Sequence, residues 1–385
     1  MAVLILGKDP QSKNKQGGFM LNVGLIGCGN ISGIYLKNSV SLFSKQFKIT
    51  ACADARPEVA EACAKNNGLK AVSVDSLLAD PEIAVVLNLT TPQSHAEINL
   101  RALQAGKHVY CEKPFALDRK SAQDVLRAAE RNKLRIGCAP DTFLGGGHQQ
   151  CRRLVDSGLI GKVVSGTAFM LCHGHESWHP APGFYYKKGG GPLFDMGPYY
   201  ITALVNILGP VQNVCAMANR STDLRKGWKA NDGKTFPVEI DTHVSAVLRF
   251  ASGAVVTLIT SFDVWKHSNY CDIELHGTEG SLHEPDPNCF DGDARFFKAE
   301  LSADWGKCDN IYGYRDNSRG LGLADMTAAI EENRPHRVTG ELAYHVLDVM
   351  CAIGESASSG KTIDIQSTCV RPEPLASGLK AGEIR

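Results

Sequence analysis

Leu21-Asn22-Val23-Gly24-Leu25-Ile26-Gly27-Cys28-Gly29-Asn30-Ile31-Ser32-Gly33 decides how the rest of the chain is read. A short apolar run closes on a G-x-G-x-x-S turn and passes into a helix-like stretch. That is the pattern of a strand, a tight turn and a helix whose first N–H groups face an anion. Gly27 permits the turn, Gly29 lets the backbone approach a pyrophosphate, and the small Ser32 lets the helix pack near the strand. Asn30 and Ile31 complete the loop at the helix start. A bare glycine turn is the competing reading of the motif alone.

The sequence downstream strengthens the nucleotide reading. A second strand, Phe47 to Ala53, ends at Asp54, where an acidic residue would bond the ribose hydroxyls of a dinucleotide. Arg56 is close enough to hold the 2′-phosphate of NADP, which Asp54 would repel. The pair favours NAD and leaves NADP as the alternative. The rhythm continues with a helix over Pro57 to Asn67 and an apolar strand, Ile83 to Leu89, ending in Thr90-Thr91-Pro92. A helix over His95 to Ala105 and the strand Lys107 to Cys111 follow, with Glu112-Lys113-Pro114 at that strand's carboxyl end. Near-continuous apolar strands of this kind belong to buried parallel sheets, whose ligands bind at the carboxyl ends.

The chain's 385 residues imply two domains. Lys plus Arg and Asp plus Glu balance at 41 each, so no global field attracts nucleic acid or an acidic membrane surface. No apolar window approaches the length of a membrane span. Thirteen scattered cysteines without a C-x-x-C pair imply reduced thiols in a soluble cytoplasmic protein and no metal. Residues 1–20 do not have the order of charges and apolar residues of a signal peptide, and read as a flexible extension or an upstream start. The expected division is then 21–141 for the dinucleotide domain and 142–385 for substrate binding and oligomerisation.

Taken together, Gly27-x-Gly29-x-x-Ser32, Thr90-Thr91-Pro92 with His95, Ala105-Gly106-Lys107-His108-Val109 and Glu112-Lys113-Pro114 resemble the glucose–fructose oxidoreductase and inositol dehydrogenase superfamily. The resemblance covers nearly the whole chain after Met20. It implies a Rossmann α/β domain followed by an α+β domain with a large, mostly antiparallel open sheet, whose exposed face often joins subunits into a dimer or tetramer. It also implies that Lys113 lies beside the nicotinamide and the substrate hydroxyl. The family's second signature, a glycine run before D-x-G-x-H, appears as Gly189-Gly190-Gly191 and then Asp195-Met196-Gly197-Pro198-Tyr199. Tyr199 stands where the family usually has a histidine that accepts the hydroxyl proton.

Beyond Asp141 the period changes. A helix over Gln149 to Gly158 precedes alternating, strand-like segments at Val163 to Cys172, Val211 to Ala218, Ile240 to Phe250, Ala254 to Phe262 and Tyr270 to His276. Hairpin turns are expected at Phe250–Ala254 and Gly277–Gly280. Helices over Pro192 to Leu208, Leu323 to Asn333 and Glu341 to Ser356 would cover one face.

Oxidising a carbinol requires a base near its hydroxyl, and the candidates are Lys113, Tyr199 and a histidine from the loop His173-Gly174-His175-Glu176-Ser177-Trp178-His179, with His179 and His175 the best placed. Asp195 could orient Lys113, bond substrate or cap the following helix. Trp178 or Tyr186 could stack on a sugar face. The expected function is hydride transfer between NAD and a sugar, inositol or glycoside. An NAD-using glycoside hydrolase of the same fold and a non-catalytic regulator are the alternatives.

Overall fold

The computed structural model describes residues 20–267, 272–301 and 303–384. Residues 1–19 of the expected extension lie outside the described residues, as do Tyr270 and Cys271 at the start of one expected strand.

The first half is built from β1 (Leu21–Ile26), α1 (Ser32–Ser41), β2 (Phe47–Ala53), α2 (Pro57–Asn67), β3 (Lys70–Ala71), α3 (Val74–Ala79), β4 (Val85–Asn88), α4 (His95–Gln104), β5 (His108–Cys111), α5 (Arg119–Arg131) and β6 (Ile136–Cys138). The six strands are parallel in the order β3-β2-β1-β4-β5-β6, so the chain reverses direction across the sheet between β1 and β4. Register puts Ile26 opposite both Ala53 and Asn88, and Asn88 opposite Cys111. The turns after β1, β2, β4 and β5 therefore leave one edge of the sheet at the same level, at the topological switch point where α/β sheets bind ligands. The central strands are buried on both faces, with Val23, Leu25, Val85, Val86, Leu87 and Val109 essentially inaccessible.

The second half comprises α6 (Gly146–Asp156), β7 (Val163–Leu171), α7 (Gly191–Leu208), β8 (Val211–Asn219), β9 (Leu224–Lys226), β10 (Thr235–Pro237), β11 (His243–Phe250), β12 (Val255–Ser261), β13 (Ile273–Gly277), β14 (Ser281–Glu284), β15 (Arg295–Phe297), β16 (Gly306–Lys307), α8 (Leu321–Glu331), α9 (Gly340–Ser359) and β17 (Ile363–Asp364). Nine strands form one sheet in the order β16-β15-β14-β13-β7-β12-β11-β8-β17, antiparallel except at β7–β12. Strand alternation buries Val244, Ala246, Leu248, Val256 and Leu258 beneath α7 and α9. Cys215, Met217 and Val247 face outward on the opposite side.

Both expected hairpins form: the N–H of Phe250 donates to Ala254 O across a turn with Gly253 at φ 92°, and Gly277 N donates to Gly280 O. Strand ends are shorter than the sequence implies, because Ile83, Leu89, Lys107 and Ile240 lie beyond the ladders. The chain also returns to the first sheet. Helices α8 and α9 pack on β6, and the buried Asp141 carboxylate accepts from the N–H groups of Gly320 and Gly322 at the start of α8.

His345 ties α9 to the second sheet: its Nε2 accepts from the Val211 N–H at 3.0 Å, and its Nδ1 lies 2.9 Å from Ser367 Oγ. Burial pushes its pKa down to about 4, against the opposing Asp348 charge. His108, whose Nδ1 accepts from the Arg135 N–H, is likewise pushed down to about 4 by burial, then by Arg135 and His336. Unfolded histidine titrates near 6.5. Between these values the unfolded chain binds more protons than the folded one, so stability falls as pH falls from about 6.5 to about 4. Thermal unfolding at a series of pH values should show this acid decline, and His345→Gln should make it shallower; a melting temperature flat across the window would contradict the assignment.

Candidate active site

The turn after β1 is as tight as its glycines imply. Gly27 adopts φ 97°, and a Cβ there would stand 2.5 Å from the Leu89 carbonyl carbon, so the turn closes directly on the backbone after β4. A Cβ on Gly29 would meet nothing within 4 Å, which leaves open space over the turn for a phosphate. Helix α1 begins behind Ile31 without a side-chain cap or an acidic residue in its first turn; the Ser32 N–H donates to Gly29 O at 3.1 Å, and no side chain competes with an anion for the N–H groups that follow. Asn30 and Ile31 are exposed beside it. The Ser32 hydroxyl donates to Gly29 O at 2.7 Å and holds the turn against the helix.

Asp54 stands beside this loop. Its Oδ2 accepts from the Cys28 N–H at 2.8 Å, and its Oδ1 accepts from the Arg56 N–H at 3.0 Å. An ionised carboxylate has about four lone-pair sites, so acceptor capacity remains for ribose hydroxyls. The Arg56 guanidinium is 3.9 Å from Asp54 Oδ1 and mostly in solvent. These features fit a dinucleotide with an unsubstituted ribose.

The turns after β4 and β5 are fastened by His95. Its ring is buried, with Nδ1 2.7 Å from Pro114 O and Nε2 3.0 Å from Thr90 O. Carbonyl oxygens only accept, so both ring nitrogens carry protons. Burial opposes that charge, but Cys111 and the two carbonyls outweigh it and raise the pKa to about 9. Thr91 is exposed and Pro92 half-buried at the rim of the same edge.

Glu112 does not pair with the Lys113 ammonium. Its Oε1 accepts from the Tyr35 hydroxyl at 2.8 Å and its Oε2 from the Lys113 N–H at 2.9 Å, which fixes the backbone from which the lysine projects. Lys113 Nζ instead donates to Asp195 Oδ1 at 2.7 Å and to Asp195 O at 2.6 Å, across to the first turns of α7. The other carboxylate oxygen, Asp195 Oδ2, lies 3.0 Å from His175 Nε2. Lys113, Asp195 and His175 side chains retain only 16%, 13% and 13% exposure, enough for a ligand to reach them and too little for bulk screening.

Burial alone would neutralise this pair. For Lys113 that penalty is outweighed by the Asp195 charge, then by Tyr199 and Glu112, and its pKa is raised above the ordinary lysine value. For Asp195 the attraction of Lys113 and the bonds from His175 outweigh burial and hold the carboxyl well below the usual range. Both groups stay charged. Because the carboxylate only accepts, His175 Nε2 is a protonated nitrogen, and in the neutral ring Nδ1 carries the lone pair.

Tyr199, one helical turn after Asp195, places its ring 5.2 Å from Lys113 Nζ. Burial raises its pKa more than Lys113 and Arg319 lower it, so the hydroxyl remains protonated rather than becoming a base. Arg319, from the segment before α8, donates to Asn288 Oδ1 at 2.8 Å and brings its positive charge near Tyr199.

Of the loop histidines, His175 enters the network. His179 does not: its Nδ1 accepts from the Ala181 N–H at 3.1 Å, and its ring packs against Trp178, Phe184 and Tyr185. The loop is anchored by the buried Glu176–Arg225 ion pair, and by Asn231 Nδ2 donating to the carbonyls of Glu176 and His179. Tyr186 cannot stack on a sugar, since its ring is buried between Arg225 and Phe262. Trp178, 57% exposed, and Tyr185, whose ring centroid is 4.2 Å from that of His175, are the aromatic surfaces left at the mouth.

Two family models match the chain. "Oxidoreductase family, NAD-binding Rossmann fold" covers residues 21–139, and "GFO/IDH/MocA C-terminal domain" covers residues 148–283. A levoglucosan dehydrogenase from Pseudarthrobacter phenanthrenivorans is 28% identical over 249 residues, 60% of this chain and 63% of that protein. An inositol 2-dehydrogenase from Rhizobium meliloti is 29% identical over 266 residues, 67% of this chain and 74% of that one. A levoglucosan dehydrogenase solved in complex with NADH and L-sorbose superposes with a TM-score of 0.78 at 24% identity, covering 90% of this chain and 99% of the other; the likeness is one of fold.

Alanine at Gly27 would force a Cβ into a left-handed conformation that costs roughly 1–2 kcal/mol before any clash. Gly27→Ala should therefore weaken NAD binding by at least about tenfold in calorimetric titration, and an unchanged dissociation constant would show that the turn does not form the cradle.

Proposed function

The chain belongs to the GFO/IDH/MocA family of NAD-binding oxidoreductases, and from that membership we propose that it transfers a hydride between NAD and one carbinol or carbonyl carbon of a sugar, inositol or glycoside. The observation that carries this reading is the Asp195 carboxylate shared between Lys113 Nζ and His175 Nε2, beside the edge where the dinucleotide turn opens.

Bound NAD supplies the acceptor for the hydride that leaves the carbinol carbon. The chain's own residues manage the oxygen. Lys113, held as a cation, donates to the substrate oxygen and stabilises the negative charge that develops there as its proton departs. His175 Nδ1 takes that proton, directly or through one water, at a donor–acceptor distance of roughly 2.6–3.2 Å. Asp195 keeps the imidazole in the required tautomer and balances the imidazolium that forms. Tyr199, protonated, donates to a neighbouring hydroxyl and orients the ring. This assigns the proton to a loop histidine where the usual family position carries a tyrosine. In the reducing direction the same groups run in reverse.

Support for a sugar-like substrate comes from the levoglucosan and inositol dehydrogenases to which the chain is similar, and from Trp178 and Tyr185, flat apolar surfaces beside hydroxyl-bonding groups. We place the protein in the cytoplasm; among the described residues no helix is long and apolar enough to cross a membrane. We also assign self-association into a dimer or tetramer to the outward face carrying Cys215, Met217 and Val247.

The test is absorbance at the reduced-nicotinamide band with NAD and NADP against cyclic sugars, inositols, glycosides and their keto forms. Substrate-dependent reduction of NAD is expected. Lys113→Ala should lower kcat by at least about a thousandfold while NAD affinity changes by less than about threefold. Cleavage of a glycoside without net reduction would replace this reading with redox-assisted hydrolysis, and turnover retained in Lys113→Ala would refute the assigned role.

A further inference from the structure

We propose that Cys28, Cys52 and Cys63 form a binding site for one thiophilic closed-shell metal ion, of the Zn(II) or Cu(I) class, directly beneath the dinucleotide turn. The three sulfurs lie within 4.8 Å of one another. No other trio of His, Cys, Asp or Glu converges in this way among the described residues. They come from three different elements: Cys28 from the glycine turn itself, Cys52 from the end of β2 and Cys63 from the middle of α2. Linear spacing carries no metal signature here; the three thiols are brought together only by the fold.

The geometry suits thiolate coordination. A zinc–sulfur bond of about 2.3 Å places tetrahedral ligands roughly 3.8 Å apart, so the sulfurs need to approach by no more than about 1 Å. Their present partners are weak. Cys28 Sγ faces Ala53 O at 3.6 Å, Cys52 Sγ faces Ala60 O at 3.4 Å, and Asn67 Nδ2 is 4.0 Å from Cys63 Sγ. Apolar packing alone would be served as well by alanine or valine, whereas three soft donors at one point select soft ions. Cys52 is fully buried and the other two residues are half-buried, with the three sulfurs together enclosed. On binding, each sulfur releases its proton to solvent as it forms a bond to the ion, and no oxidant or reductant is involved. A fourth position remains for water. Because the Cys28 N–H also holds Asp54, occupancy would fasten the pyrophosphate turn and the ribose carboxylate from their buried side.

The full-length protein, reduced and then freed of reductant and metal, is titrated with Cd(II) alone while thiolate-to-metal charge-transfer absorption is read in the ultraviolet. One equivalent should saturate the band. Cys63→Ser, at a half-buried helix position, should weaken binding at least tenfold. Cys351→Ser, a half-buried cysteine elsewhere, should titrate like the parent. Circular dichroism of each variant confirms folding, and if Cys63→Ser is unfolded, Cys28→Ala serves in its place. Absence of a stoichiometric band, or a folded Cys63→Ser or Cys28→Ala that binds Cd(II) as tightly as the parent, would overturn the proposal.

Discussion

The site depends on one buried ion pair, Lys113 with Asp195, which joins the end of β5 in the parallel sheet to the start of α7 in the antiparallel half. Two charges this enclosed are each costly to desolvate, and only their mutual attraction together with further hydrogen bonds makes burial tolerable. Those bonds are present: Asp195 O takes a second Lys113 proton, and His175 satisfies the remaining carboxylate oxygen. Deleting one partner would strand the other, a loss of about 3–5 kcal/mol in comparable buried pairs. The pair thus joins the two halves and keeps a permanent cation where the proposed reading seats the substrate oxygen.

Other features support that pair. Glu112 holds the lysine's backbone and His95 clamps the following proline carbonyl to the turn after β4, so Lys113 is approached from both sides by buried groups. On the opposite side the Glu176–Arg225 pair anchors the loop that delivers His175. The nucleotide edge and the proton-handling groups are therefore separate constructions that meet at Lys113.

Much of this was legible in the sequence. The β–α rhythm from Leu21 to Pro114, the glycine turn and the period-two strands of the second half declare themselves through apolar spacing, and Asp195 with Tyr199 share a helix face because they are four residues apart. The three-residue strand β6 is too short to show a period, while α5 is marked locally by Asp118, which accepts from Ser121 N as its cap. The choice of His175 over His179 could not be read, since a loop has no periodicity and the decision rests on the Arg225 and Asn231 anchors far along the chain. Arg319 brings its charge to Tyr199 from more than a hundred residues away, and no local signal marks it. Lys113 does pull the tyrosine's pKa down, but burial outweighs it.

The most direct test of the proton-handling account is the pH dependence of kcat/KM for the wild type beside His175→Gln. The account predicts an acid limb governed by one proton in the wild type, no alkaline decline attributable to Lys113, and loss of the acid limb in the variant. An acid limb that persists unchanged in a folded His175→Gln would place the base elsewhere, and an alkaline decline abolished by Lys113→Arg would contradict a lysine held permanently as a cation.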